Sequence, residues 1–183
     1  MLKHTLTALQ KWFGIFTLSL GLFSVALAQA PAPTPNPMDD IPAAMPFDIP
    51  YGAPITLERA DQLIKAVSAE SKNRGWKMNI AVVDSGGNLV AFQRMDGAQL
   101  ASISIAEHKA RVAAKFRRET KLFENAVNVA KLNYVLTLDD VIASRGGIPL
   151  VENGKLIGAL GCSGGTGSQD EAACKAGSGL VNK

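Results

Sequence analysis

The side chains with the most chemistry to offer fall in two stretches. One is His108-Lys109 with Arg111; the other is Ser163-Gly164-Gly165-Thr166. An imidazole ligates iron or moves a proton near neutral pH. A lysine desolvated by its site becomes an acid/base group. A glycine-dense turn that opens a helix presents free N–H groups, which suit a carboxylate or a propionate. Turn geometry alone also explains those glycines, and Asp170 fits the first turn of the helix that follows, where it can act as a cap.

Several chemistries are excluded. Gly161-Cys162-Ser163-Gly164-Gly165 has the Gly-x-Ser-x-Gly form of a nucleophile elbow, but that triad needs a His downstream and none follows Gly165. Gly165-Thr166-Gly167 lacks the third glycine of a dinucleotide fingerprint, and no Gly-Lys-Ser/Thr follows. There is no Cys-x-x-Cys-His, no zinc-type His pair and no calcium loop. Of the two histidines, His4 lies in an N-terminal leader-like stretch, which leaves His108 as either a structural residue or a ligand.

These residues need elements to position them. Wound at 100° per residue, the predicted helix Ala101 to Phe116 places Ile103, Ala106, Ala110, Ala113 and Ala114 on one apolar face. Ile105, Val112 and Phe116 form an adjoining one. Ser104, Glu107, Arg111 and Lys115 make the polar side, and His108 sits at its border with Ile105 and Val112. Lys109 falls inside the apolar arc, where it is either paired in the core or turned toward a pocket or subunit interface. The arc is wider than one sheet face covers, which predicts a partner subunit.

The second stretch follows a hairpin. Ile148–Val151 and Leu156–Leu160 flank Asn153-Gly154, the residue pair that tolerates positive φ at both positions of a type I′ turn. An earlier hairpin runs Asn79–Asp84 and Leu89–Met95 around Ser85-Gly86-Gly87-Asn88. A first helix starts at Thr56 as N-cap, buries Ala60, Leu63, Ile64 and Val67, and stops at Gly75. More helix is predicted from Phe116 to Lys131, strand or loop over Leu132–Leu138, and a last helix over about 169–181. Hairpins segregated from helices define an α+β domain, not a doubly wound one.

Upstream of this domain the composition changes twice. Residues 1–28 carry Lys3 and Lys11, an apolar run from Trp12 to Leu27 and a small-x-small end at Ala26-Leu27-Ala28, the pattern of a cleaved signal peptide. An uncleaved anchor is the competing reading, and the run is short of the ~20 residues a span needs. Residues 29–54 hold eight of the nine prolines and read as an extended linker. Its Met45, Phe47, Ile49 and Tyr51 suit a strap on the domain as well as a spacer. Without Lys3 and Lys11, 17 basic residues face 16 acidic ones (19 − 2 = 17), so nothing implies nucleic acid. Export would place Cys162 and Cys174 in an oxidising compartment, where they are either a disulfide or two separate buried thiols.

Three segments in this order, NIAVVDSGGNLVAFQRMDGA, IAEHKARVAAKFRRET and GGIPLVENGKLIGALGCSGGTGSQDEAACKAG, resemble the GlcG/HbpS family of haem-binding, or haem-degrading, proteins. The resemblance runs from about Ile55 to Val181, within a domain taken as residues 55–183. It implies a profilin-like α/β/α sandwich on an antiparallel sheet of about five strands, a homo-oligomer and, in exported members, haem as cofactor. Val112, Glu119 and Cys162 stand where Thr, Pro and Val are usual. The combined expectation is an exported, periplasmic or secreted oligomer that binds a small molecule, haem first, without stable membrane insertion after cleavage. His108, Lys109, Arg111, Ser163, Gly164, Gly165 and Thr166 are the candidate binding residues, and His108 the candidate iron ligand. The alternative is a periplasmic enzyme acting on a small organic acid or aromatic compound, with Lys109 as acid/base. An accessory protein that binds only a partner is a third reading.

Overall fold

A computed structural model of the chain describes Asn36 and residues 39–182. The leader-like stretch 1–28 lies outside the described residues, as does most of the first half of the Pro-rich segment. The chain divides into two units, residues 1–41 and 42–183. Of the first, the described part is a turn in which the Asp39 N–H donates to the Asn36 carbonyl at 2.9 Å. The rest of the description concerns the second unit.

Thr56 begins α1 (Leu57–Asn73) as predicted, its Oγ1 accepting from the Arg59 N–H. Gly75 ends the helix in the left-handed region at φ 69°. Two hairpins follow in the expected places, β1 (Asn79–Asp84) with β2 (Leu89–Arg94), and β3 (Gly147–Glu152) with β4 (Lys155–Ser163). Between them run α2 (Ser102–Lys115), α3 (Lys121–Asn128) and a 3₁₀ turn at Asn133–Thr137; α4 (Gly167–Ser178) completes the unit. Asn153 and Gly154 adopt φ of 49° and 73°, the two positive values a type I′ turn demands.

The sheet is antiparallel with order β2-β1-β4-β3. It has four strands rather than five. In place of a fifth, the Pro-rich arm lays one isolated parallel bridge at Tyr51 against Leu156. Pro50 supplies a carbonyl to the Leu156 N–H, and Gly52 and Ile55 donate to the Leu156 and Ile157 carbonyls. The prolines remove donors and keep φ fixed, so the arm pairs locally and cannot extend into a ladder.

Alternation along β1 assigns its two buried faces. Ile80 and Val82, with Ile148, Leu150, Leu160 and Cys162, pack on Leu63, Ile64 and Val67 of α1 and on Ala173 and Cys174 of α4. Ala81, Val83 and Ala159 face the alanines of α2: Ala106, Ala110, Ala113 and Ala114. The result is a three-layer sandwich, α1 and α4 below the sheet and α2 above it. Small residues on both sides let α2 approach β4 at backbone distance. A Cβ on Gly161 would lie 2.0 Å from the Ala106 carbonyl oxygen, so only glycine fits there.

Much of the wide apolar arc of α2 is covered within the same chain, while Ile103 and Ile105 stay partly exposed. Val112 is fully buried with Phe123 of α3 and Val135 of the 3₁₀ turn. The predicted continuous helix to Lys131 is interrupted because Arg117 takes a φ of 55°, which reverses the chain so that α3 folds back over α2. Cys162 and Cys174 form a disulfide, Cα–Cα 5.7 Å, across β4 and α4. Among the described residues, no helix is long and apolar enough to cross a membrane.

Candidate functional site

The structure distributes the seven candidate residues over two separate corners. Lys109 joins the glycine turn, but as part of the core. It is 1% exposed. Its Nζ donates to Asp170 Oδ2 at 2.7 Å and to the Cys162 carbonyl at 3.3 Å. The other oxygen of the same carboxylate, Oδ1, accepts the Gly164 and Gly165 N–H groups at 3.1 and 3.0 Å. The anion-holding geometry expected of Gly164 and Gly165 is therefore satisfied by the chain's own Asp170, which leaves those N–H groups no need of an outside carboxylate. Ser163 is buried at the end of β4, and Thr166 is spent in a capping box with Gln169. Lys109 as acid/base finds no geometric support, because a substrate has no path to an enclosed, doubly bonded ammonium.

Beside this pair stands a second charge cluster. Arg145 donates from Nε to Glu124 Oε1 at 2.7 Å and from its backbone N–H to Glu124 Oε2 at 2.8 Å. Glu171 accepts from Lys121 at 3.2 Å and also pairs with Lys175 and Arg145. Burial works to raise both carboxyls. The hydrogen bonds from Arg145 to Glu124, and from Lys175 and Lys121 to Glu171, outweigh it and hold both below the usual glutamate range. This network fastens α3, the approach to β3 and α4 together.

His108 and Arg111 lie elsewhere, on the outer edge of α2 against the loop at Asp140. His108 Nε2 is 2.9 Å from the Asp140 carbonyl oxygen. A carbonyl only accepts, so Nε2 is the donor in this contact. Lys115 Nζ donates to Asp140 Oδ2 at 2.7 Å, and that contact, with Arg111 and His108 nearby, lowers the Asp140 carboxyl. Arg111 makes no ion pair among the described residues. His108, the one imidazole among them, thus stands beside an uncommitted guanidinium, a donor set suited to a porphyrin's iron and propionates. Val112, expected to share that face, is enclosed beneath α3 instead.

Arg118, with Arg111 a propionate candidate on the sequence alone, follows α2 beyond Phe116. Burial and the neighbouring Arg117 charge push its guanidinium below the usual arginine value. Its carbon lies 3.6 Å from the ring centre of Phe47, with Phe123 and Phe116 at 5.3 and 5.9 Å. Phe116, Phe123 and Tyr134 carry no shared motif in the sequence. Their convergence depended on the reversal at Arg117, which carried no signal.

This architecture is that of a three-layer α/β/α domain built on an antiparallel sheet. The model for the family described as haem degrading protein HbpS-like matches residues 55–178. Escherichia coli K12 protein GlcG is 39% identical over 109 residues, 60% of this chain and 81% of that one. A double mutant of Streptomyces reticuli HbpS superposes with TM-score 0.66 at 25% identity, covering 84% of this chain and all of that one. PduOC in its haem complex superposes with TM-score 0.64 at 26% identity, covering 71% and 96%. The chain belongs to the GlcG/HbpS family.

Proposed function

We propose that the protein is an exported, oligomeric binder of a small molecule, with haem as its ligand. The observation that carries this reading is family membership together with a haem complex of PduOC, whose fold this chain shares. On the chain itself, His108 would hold the iron and Arg111 a propionate. Haem bound there would supply redox or ligand-exchange chemistry at its iron. The protein's own part is to present the imidazole, fix its tautomer through Asp140 and neutralise a carboxylate. One chain offers one imidazole among its described residues, so a second imidazole ligand would come from a second copy meeting it across a two-fold axis. The leader-like residues 1–28 support export.

Haem titrated into the mature protein should give a Soret band that shifts and weakens in His108→Ala. Light scattering should show haem binding and self-association lost together if two subunits share the iron. An unchanged spectrum and affinity in His108→Ala would remove His108 as the ligand. No Soret change in the wild type would remove the haem reading.

A further inference from the structure

We propose that the cavity around Arg118, distinct from the His108 edge, is a binding site for a small aromatic monocarboxylate of the benzoate class. The cavity has a volume of about 320 Å³ and is walled by Phe47, Phe116, Phe123, Tyr134 and Leu138, with Arg118 at its side. That is the lower end of the range for small-molecule pockets, room for one substituted ring and not for a tetrapyrrole.

Its polar content is sparse and points one way. Arg118 Nε donates to the Phe116 carbonyl at 3.1 Å. Among the described residues its two Nη groups have no acceptor, and no carboxylate reaches ion-pair distance. The Tyr134 hydroxyl likewise has no partner among them. Every other arginine–carboxylate contact in this corner is spoken for: Arg145 holds Glu124, and Arg117 approaches Asp48 at 3.9 Å. A half-buried guanidinium whose Nη groups have no protein acceptor is open to a carboxylate from outside. Phe47 packs against the guanidinium carbon at 3.6 Å and Nε is used by the Phe116 carbonyl, which leaves the two Nη groups to bind a carboxylate with two parallel hydrogen bonds. An aromatic ring attached to that carboxylate would then lie among the phenyl walls.

The outer wall is held in place by the arm. Arg117 Nη1 donates to the Ile49 carbonyl at 2.9 Å, and the Tyr51 hydroxyl donates to the Lys115 carbonyl at 3.0 Å. Phe47, at φ 61°, is the residue that this anchoring turns toward Arg118.

The test is calorimetric titration of sodium benzoate into the mature, full-length chain and two variants, with benzamide as the uncharged control. One benzoate per chain is expected. Arg118→Met should weaken benzoate by about tenfold or more, the size of one charge-assisted contact, and benzamide should bind the wild type worse by a similar factor. Ala126→Leu, which fills the cavity while keeping the guanidinium, should also abolish binding. Far-ultraviolet circular dichroism of each variant confirms its fold, and the Ala126 variant keeps the test decisive should Arg118→Met not fold. Equal affinity of wild type and Arg118→Met for benzoate, or equal affinity of wild type for benzoate and benzamide, overturns the proposal. So does the absence of binding at about 10 mM, beyond the weakest range of specific recognition. Haem binding should be unaffected in Arg118→Met; competition between haem and benzoate would overturn the claim of a separate site while leaving the haem reading intact.

Discussion

Lys109 is the residue on which the site argument turned. A lysine inside an apolar helix face leaves two readings open, and the structure resolves them by a carboxylate 61 positions away in the sequence. Side-chain exposures of 1% and 3% place both partners out of water. Removing one partner of such a pair strands the other charge. Lys109→Met is therefore expected to destabilise by about 3–5 kcal/mol, with Lys109→Met/Asp170→Asn, which removes the stranded charge but keeps an acceptor for the Gly164 and Gly165 N–H groups, recovering part of that loss, as read by urea unfolding. If the single variant unfolds at the wild-type midpoint, the pair contributes nothing. That Lys109 needed a partner was legible in the sequence; that the partner was Asp170, and not a ligand, was not, because helix winding says nothing of which loop arrives above it.

At the level of elements, hairpins and helix starts were the most legible features, since their signals are local. Thr56, Gly75 and Asn153-Gly154 act within four residues of themselves. The fold-back of α3 was not legible: it hangs on a positive φ at Arg117, a residue type without preference for it. That same fold-back buries Val112 and leaves Ile103 and Ile105 as the partly exposed part of the apolar arc. Two element contacts give tests. Gly161→Ala should destabilise by about 1–3 kcal/mol or more through overpacking against α2. The Cys162–Cys174 bridge closes a separation of 12 residues, and a loop of that size is worth about 3 kcal/mol in the chain-entropy account. Cys174→Ser should show this as a lower unfolding midpoint, and thiol counting on denatured, unreduced protein should find no free thiol in the wild type.

For the molecule as a whole, the carboxylates that fasten α3, β3 and α4 set its response to acid. Glu124 and Glu171 sit below their ordinary range when folded. Groups of this kind bind fewer protons in the folded chain than in the unfolded one above their folded values. Their stabilisation is thus complete above the unfolded glutamate pKa of about 4.3 and is lost as pH falls through the lower folded values. The unfolding midpoint should be level from neutral pH to about 5 and decline below about 4; Glu171→Gln should flatten that decline. A midpoint that falls equally in the variant would move the acid response to other groups. Self-association, expected from the family and from the shared-iron proposal, is read by light scattering at micromolar protein, where a monomer would count against both.

The bridge between the arm and β4 has a further consequence, for handling and turnover rather than ligand binding. Leu156 gives its N–H to Pro50 and its carbonyl to Gly52, so the arm masks a stretch of strand that would otherwise present bare backbone to solvent. A protease that nicks the exposed chain between Asp48 and Gly52 would unmask that stretch without touching the core. Bare strand edges recruit other chains. Nicked protein should therefore keep its circular dichroism yet precipitate faster on storage than intact protein, and a preparation that clouds with age should be examined for this cut first.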